Sequence, residues 1–309
     1  MATLIDGNYL NQYVAPQLLN EFKNDKDDFL GVLAGAPAAA VSADGIRFNK
    51  LINNVDFLVD NTDEFTPASM SGKKGLIEWE KYDTAPTQVT DAEMQALPYD
   101  KRSAVRQKHT EAFKRGIRDH VLWKLAPDDN TSDDMPVVRT TGDDDGNGRL
   151  RMTFKDLVNY LEKIKKLNLV DMSQLYMILC PEHATDLIID RDSANYFSNA
   201  NIFFDPTTGK VRSIMGFKFF ENNATLAYDS DGAKKAKGAT LATTDRNASL
   251  FFYAPNTVYH LNSTKILYVP EYQDTRNADP TSEFRTQTYG LVDRIQEIGV
   301  GALVSGISA

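Results

Sequence analysis

The chain has 309 residues, 42% hydrophobic and 25% charged, with 34 Lys and Arg against 43 Asp and Glu for a formal net charge of −9. This is enough apolar material for two domains or one large elaborated domain, and it excludes a disordered tail. The acidic balance argues against a general nucleic-acid binder, the single cysteine, Cys180, excludes an internal disulfide framework, and no Cys/His cluster is present to hold structural zinc.

The opening MATLIDGNYL has neither a basic nor an apolar signal region, so no signal peptide is expected. No window approaches the roughly 18 uninterrupted apolar residues that cross a bilayer, so a soluble chain in a reducing compartment is expected. Residues 1–40 combine a predicted short helix over 16–22, a charged NDKDD run and the small-residue stretch GVLAGAPAAA, and they read as an arm. From 45 to 90 the pattern changes to strands, GIRFNKL, VDFLVD and GLIEWEKYD, with the polar TPASMSGKKG between the last two. An elongated hairpin with a Gly-rich tip follows from this. Its apolar residues, among them Leu76, Ile77 and Trp79, are too few for an isolated strand pair, so its partner is expected elsewhere.

Residues 100–125 read as one continuous helix of about 40 Å, with Asp100 as N-cap and Ala126-Pro127 ending the run. Ala104, Val105, Ala112, Phe113, Ile117, Val121 and Leu125 recur at helical spacing and predict a narrow apolar stripe. Between Lys101 and Leu125 eight Lys and Arg stand against only Glu111 and Asp119, a local +6, so the other residues sum to −15. Two acidic loops follow, PDDNTSDDMP and TTGDDDGNGR. Thr153 and Asp156 then form a capping box for a helix with Phe154, Leu157, Val158, Leu161, Ile164 and Leu167 on its apolar face. LYMILC reads as a buried strand, and Pro181 opens the next helix, giving the order helix, strand, helix. Residues 205–209 read as a turn, VRSIMGFKFF and TLAYD as strands, and DSDGAKKAKG as a polar exposed loop. ASLFFYAP, TVYHLN and TKILYVP are further strands, and the final stretch from Ser282 alternates at period two over an unusual length. Strands of that length usually run between neighbours.

Chemical motifs start and then fail. Asp143, Asp145, Asn147 and Gly148 match the first half of an EF-hand loop, but the twelfth position is Phe154 instead of Glu, so an acidic turn is expected. Cys180 and His183 have C-x-x-H spacing, yet Cys180 ends an apolar strand where inert thiols reside. His109 and His120 fall on one helix face about 16 Å apart, too far to share a metal ion. Gly299-x-Gly301 lacks the strand-to-helix turn of a phosphate loop, and acidic pairs such as Glu78-x-Glu80 are uninformative in so acidic a chain. No catalytic, cofactor or metal residue is assigned. Lys73 and Lys74 at the tip of the hairpin, and Lys234, Lys235 and Lys237 later, are read first as solubility charges, with contact to an acidic neighbouring copy as the alternative.

The sequence of arm, long two-stranded loop, long helix, helix-strand-helix unit and long closing strands resembles the major capsid proteins of tailed bacteriophages. Their α+β fold is named for phage Hong Kong 97. The resemblance spans essentially the whole chain and rests on ALPYDKRSAVRQKHTEAF, LYMILCPEHATDLIID, SIMGFKFFENN and GLVDRIQEIGVGALVSG. It implies an N-terminal arm at 1–40, an extended loop at 45–95, a peripheral domain at 100–151 and 249–309 with a spine helix at 100–125, and an axial domain at 152–248. It also implies a non-enzymatic virion protein, assembled in the host cytoplasm into homo-hexamers and homo-pentamers by ring-closing heterologous contacts. Implied partners are a portal, scaffolding or decoration proteins, and packaged double-stranded DNA, with no membrane. Lys73, Lys74, Lys114, Arg115 and Arg118 would face a neighbouring subunit or that DNA. An encapsulin-type nanocompartment shell shares the fold, while a decoration or tail protein and a cytosolic enzyme using Cys180 and His183 are the readings from other classes.

Overall fold

A computed structural model describes residues 28–51, 59–60, 62, 72–90, 101–193, 211, 213, 216–223 and 226–308. Strands β1 (Gly45–Leu51) and β2 (Gly72–Glu78) pair antiparallel from Gly45 opposite Glu78 to Leu51 opposite Gly72, so a hairpin is present, but GIRFNKL is the partner strand and Lys73 and Lys74 lie within the ladder instead of at its tip. Strands β3 (Glu80–Asp83) and β4 (Thr87–Thr90) lead toward helix α1 (Lys101–Leu125). Next come β5 (Val137–Arg139), β6 (Arg149–Leu150), helix α2 (Phe154–Lys166), β7 (Leu175–Leu179) and helix α3 (Pro181–Ser193). After them lie β8 (Lys218–Glu221), β9 (Ala227–Tyr228), β10 (Arg246–Tyr253), β11 (Thr257–Leu261) and β12 (Lys265–Val269). The chain closes with β13 (Thr281–Arg294), β14 (Val300–Val304) and β15 (Gly306–Ile307). The short helix at 16–22, the Asp100 cap, VDFLVD through Leu58 and the turn at 205–209 lie outside the described residues.

The central sheet runs β5-β14-β10-β7-β8, with β9 pairing β10, and it is covered on both faces. Tyr176, Ile178, Leu250, Phe252, Val300, Ala302 and Val304 share one cluster with the buried side of α1. Leu175, Met177, Leu179, Phe251, Tyr253 and Leu303 share the other with α2 and α3. A sheet buried on both sides has no polar face to supply alternation, which is why these strands read as unbroken apolar runs. Gly301 belongs to this packing: a Cβ there would overlap the Tyr160 hydroxyl and the Pro136 carbonyl. The second sheet centres on the 14-residue β13, which pairs with β11 and β12 along one side and with β3 and β4 along the other. The long alternating strand therefore runs between neighbours, as expected.

The capping box is present, with Asp156 Oδ2 accepting from the Thr153 backbone N–H at 2.9 Å. Tyr160 is fully buried on that helix whereas Val158 is 41% exposed, so the apolar face of α2 is rotated from the expected one. On α1 the buried line is Phe113, Ile117, Val121, Leu122 and Leu125, and Ala112 is exposed. Residues 28–40 also differ from a free arm. Phe29 and Leu33 are buried in the cluster behind α1, and Gly35 bridges Tyr259 of β11.

Candidate functional site

The +6 surplus on α1 is partly neutralised within the chain. From outside the helix, Glu271 pairs with Arg102 at 2.6 Å and Glu80 with Lys124 at 3.1 Å, while Lys108–Glu111 at 2.9 Å and Arg118–Asp119 at 3.3 Å pair charges already counted in the +6. Among the residues expected on a functional surface, Arg115 is exposed, Lys114 is half-buried, and the Arg118 side chain keeps only 18% exposure. Lys73 and Lys74 stand opposite Lys50 and Asn49 in the hairpin ladder. The five residues thus lie on two separate elements, three on the helix and two on the hairpin.

Loop 229–238 is exposed at Ser230, Asp231 and Ala236 to Gly238, as expected of a polar loop, but its lysines are not free solubility charges. Lys234 has a side chain only 5% exposed, pairs with Asp128 at 2.7 Å and lies 4.3 Å from the centre of the Trp123 ring. Its ammonium also donates to the carbonyls of Trp123 at 3.0 Å and Ala126 at 2.9 Å. These carbonyls belong to the end of α1, where acceptors have no partner within the helix and the dipole favours a cation. Lys235 pairs with Asp245 at 3.3 Å, and Lys237 donates to the Gly116 carbonyl at 3.2 Å. The basic tract is thereby tied to the long helix and to the start of β10.

A polar cluster missed at the sequence level sits at the root of the hairpin. The Glu80 carboxylate lies 2.6 Å from His120 Nε2, accepts from Lys124 Nζ at 3.1 Å and accepts from the Tyr82 hydroxyl at 3.0 Å. The His120 hydrogen bond is the chief cause that holds the Glu80 pKa down at about 2, against the opposing effect of burial. His120 and Lys124 are spaced i, i+4 on α1, so one carboxylate reaches both. That helix spacing was the available signal, but Glu80 is 40 residues away in sequence. Further up the helix, His109 bridges Thr84 at 2.7 Å and Thr87 at 3.0 Å, and burial lowers its pKa. Both helix histidines therefore bind the segment that runs from β3 into β4, while His260 packs against the Trp79 ring at 5.5 Å.

Cys180 and His183 do not form a reactive pair. The thiol is buried and desolvation pushes its pKa up to about 11. His183 is completely buried, with its ring nitrogens 2.7 Å from the Ser249 hydroxyl and 2.9 Å from the Ser305 hydroxyl, and burial lowers its pKa to about 4. It joins α3 to β10 and to the residue between β14 and β15. In the acidic turn, Asp145 accepts from the Asn147 N–H at 2.8 Å and from Arg149 Nε at 3.0 Å, and Arg149 binds Asp186 through two bonds of 2.6 and 2.9 Å. The carboxylates are spent on the turn and its arginine. Among the described residues no group of three or more His, Cys, Asp or Glu is placed to hold a metal ion, and no helix is long and apolar enough to cross a membrane.

No family model matches the chain, and no curated protein matches it in sequence. Solved structures do match in fold. The capsid structure of the cyanophage P-SCSP1u aligns with a TM-score of 0.62 at 13% identity, over 91% of this chain and 88% of that chain. The acidic stable capsid structure of Helicobacter pylori bacteriophage KHP30 aligns with a TM-score of 0.63 at 10% identity, over 91% of this chain and 92% of that chain. The fold is that of a phage capsid protein. The capsid of an empty GTA particle, with a TM-score of 0.58 at 12% identity, covers 91% of this chain and 90% of its own. The likeness takes in nearly the whole length on both sides, so it describes the architecture as a whole. Within this capsid fold, the ionisable groups around Glu80, His183, Arg149 and Lys234 act as ties between elements distant in sequence.

Proposed function

We propose that the chain is the major capsid protein of a tailed phage, with the Hong Kong 97-type fold, whose copies self-assemble into the hexamers and pentamers of an icosahedral head enclosing double-stranded DNA. The observation that carries this reading is the alignment with capsid structures over 91% of this chain. In this reading residues 1–40 are the N-terminal arm, 45–95 the extended loop, 100–151 and 249–309 the peripheral domain with α1 as its spine, and 152–248 the axial domain. The distal part of the hairpin, two strands with Leu76 44% exposed, gains its missing apolar partner from a neighbouring subunit. Arg115, with Lys114 and Arg118 beside it and Lys73 and Lys74 on the hairpin, meets a neighbour's acidic surface or the packaged DNA. The protein is structural and has no catalytic role. It works in the virion after assembly in the host cytoplasm, alongside a portal and scaffolding or decoration proteins. Electron microscopy of lysate and purified protein, with copy number per particle from mass spectrometry, tests the proposal. Shells in which this chain dominates by copy number are expected. Protein that stays monomeric and is absent from virions would overturn it, and a low copy number would point to a decoration or tail component.

A further inference from the structure

We infer that Glu80 pins a clamped joint that fixes the angle between the β1–β2 hairpin and helix α1. The inference concerns the single subunit and holds whatever that subunit assembles into.

The joint is visible in the change of hydrogen-bond partner. Up to Glu78 the strand pairs with β1, and from Glu80 onward it pairs with β13, so one residue, Trp79, separates the hairpin from the body. Both sides of that residue are held by side chains. The Trp79 indole N–H donates to the Ser42 carbonyl at 3.1 Å, and Glu80 is gripped by His120, Lys124 and Tyr82. Opposite the joint, Gly45 has φ of +150, and a Cβ there would overlap the Ile77 carbonyl, so a glycine is required where the hairpin leaves the body.

Tyr82 packs onto the core cluster beside Phe113 and Ile117, but packing between this strand and the helix is incomplete. Between β3 and α1 lies a cleft of about 370 Å³ lined by Tyr82, Thr84, Ala112, Phe113 and Gly116, and a Cβ at Gly116 would meet open space. The ladder to β13 and the packing of Ile46, Ile77 and Trp79 against Val258 and Leu291 hold the root of the hairpin, and the polar pins that tie it to α1 are Glu80 at one end and the His109 bridge to Thr84 and Thr87 at the other. The hairpin beyond the joint is a lever of about 20 Å at roughly 3.3 Å per residue, so a rotation of about 20° at the root moves its far end by about 7 Å.

The test is a distance measurement by pulsed electron resonance on the unassembled full-length chain, with spin labels at Lys74→Cys and Lys108→Cys. Lys108 is 79% exposed, and the buried Cys180 thiol stays unlabelled. In the parent protein a single narrow distance distribution is expected. Glu80→Gln, which keeps shape and removes the charge, is expected to shift its mean by ~5 Å or to widen it about twofold, with helical content unchanged. His120→Phe keeps an aromatic ring against Tyr82, removes Nε2 and is expected to act in the same direction, so it decides the matter should Glu80→Gln not fold. A purely structural role for Glu80 would lower the unfolding temperature and leave the distribution as in the parent. That result, in either folded variant, would overturn the inference.

Discussion

His183 is fully buried between the Ser249 and Ser305 hydroxyls, and burial lowers its pKa to about 4 from the ordinary 6.5. The unfolded chain therefore binds a proton at this residue before the folded chain does. The stability it contributes is complete above about pH 6.5 and is lost as pH falls toward about 4, with a slope of at most about 1.4 kcal/mol per pH unit. Glu80 works in a lower window, because its folded pKa of about 2 lies below the ordinary 4.5. Its contribution is present above about pH 4.5 and lost as pH falls through about 2. Urea unfolding across mildly acidic pH separates the two. His183→Leu is expected to flatten the upper part of the profile and to cost about 1–3 kcal/mol near neutral pH, since Ser305 loses its partner and Ser249 keeps only the Cys180 backbone. An unchanged slope in that variant would show that another group titrates there.

At the scale of elements, the end of α1 depends on a residue more than a hundred positions away. Lys234 satisfies the Trp123 and Ala126 carbonyls, and Arg294 adds a longer contact of 3.4 Å to the latter. Lys234→Met keeps the stem over Trp123 and removes the donors. The expected loss is about 1–3 kcal/mol by denaturant unfolding, with the last turn of α1 losing hydrogen-exchange protection. A variant as stable as the parent would mean that water or Arg294 serves those carbonyls equally well. The elements themselves were legible because their signals are local: the Thr153–Asp156 box, Pro181 at a helix start and the period-two alternation of β13 each act within a few residues. The role of Lys234 was hidden, since a lysine in a Gly- and Ala-rich tract looks the same whether it is solvated or capping a remote helix. Ala112 was misplaced for a related reason, because a methyl group fits either face of a helix. Phe113 and Ile117, with more area to bury, set the rotation.

Across the whole molecule, the order of elements carried the resemblance to capsid proteins, and the alignments agree over 91% of the chain. The pairing of distant elements was not legible. Nothing local says that β3 and β4 join β13, or that Glu80 meets His120. The same limit applies to contacts between copies, for which Arg115 is the exposed candidate on α1. Arg115→Glu is expected to move unfolding stability by less than about 0.5 kcal/mol, as for most surface changes, while reducing the yield of DNA-filled particles several-fold. Normal filled particles would remove Arg115 from the interface. Arg118→Glu is a poorer probe, because Arg118 pairs with Asp119 and is only 18% exposed. A cryo-electron microscopy reconstruction of particles that contain this chain decides whether it builds their shell. An icosahedral shell of pentamers and hexamers is expected, in which every subunit is this fold, with α1 along its length and the hairpin lying over a neighbour. A shell wall built from another protein, with this chain absent or present only as an outer addition, would contradict it.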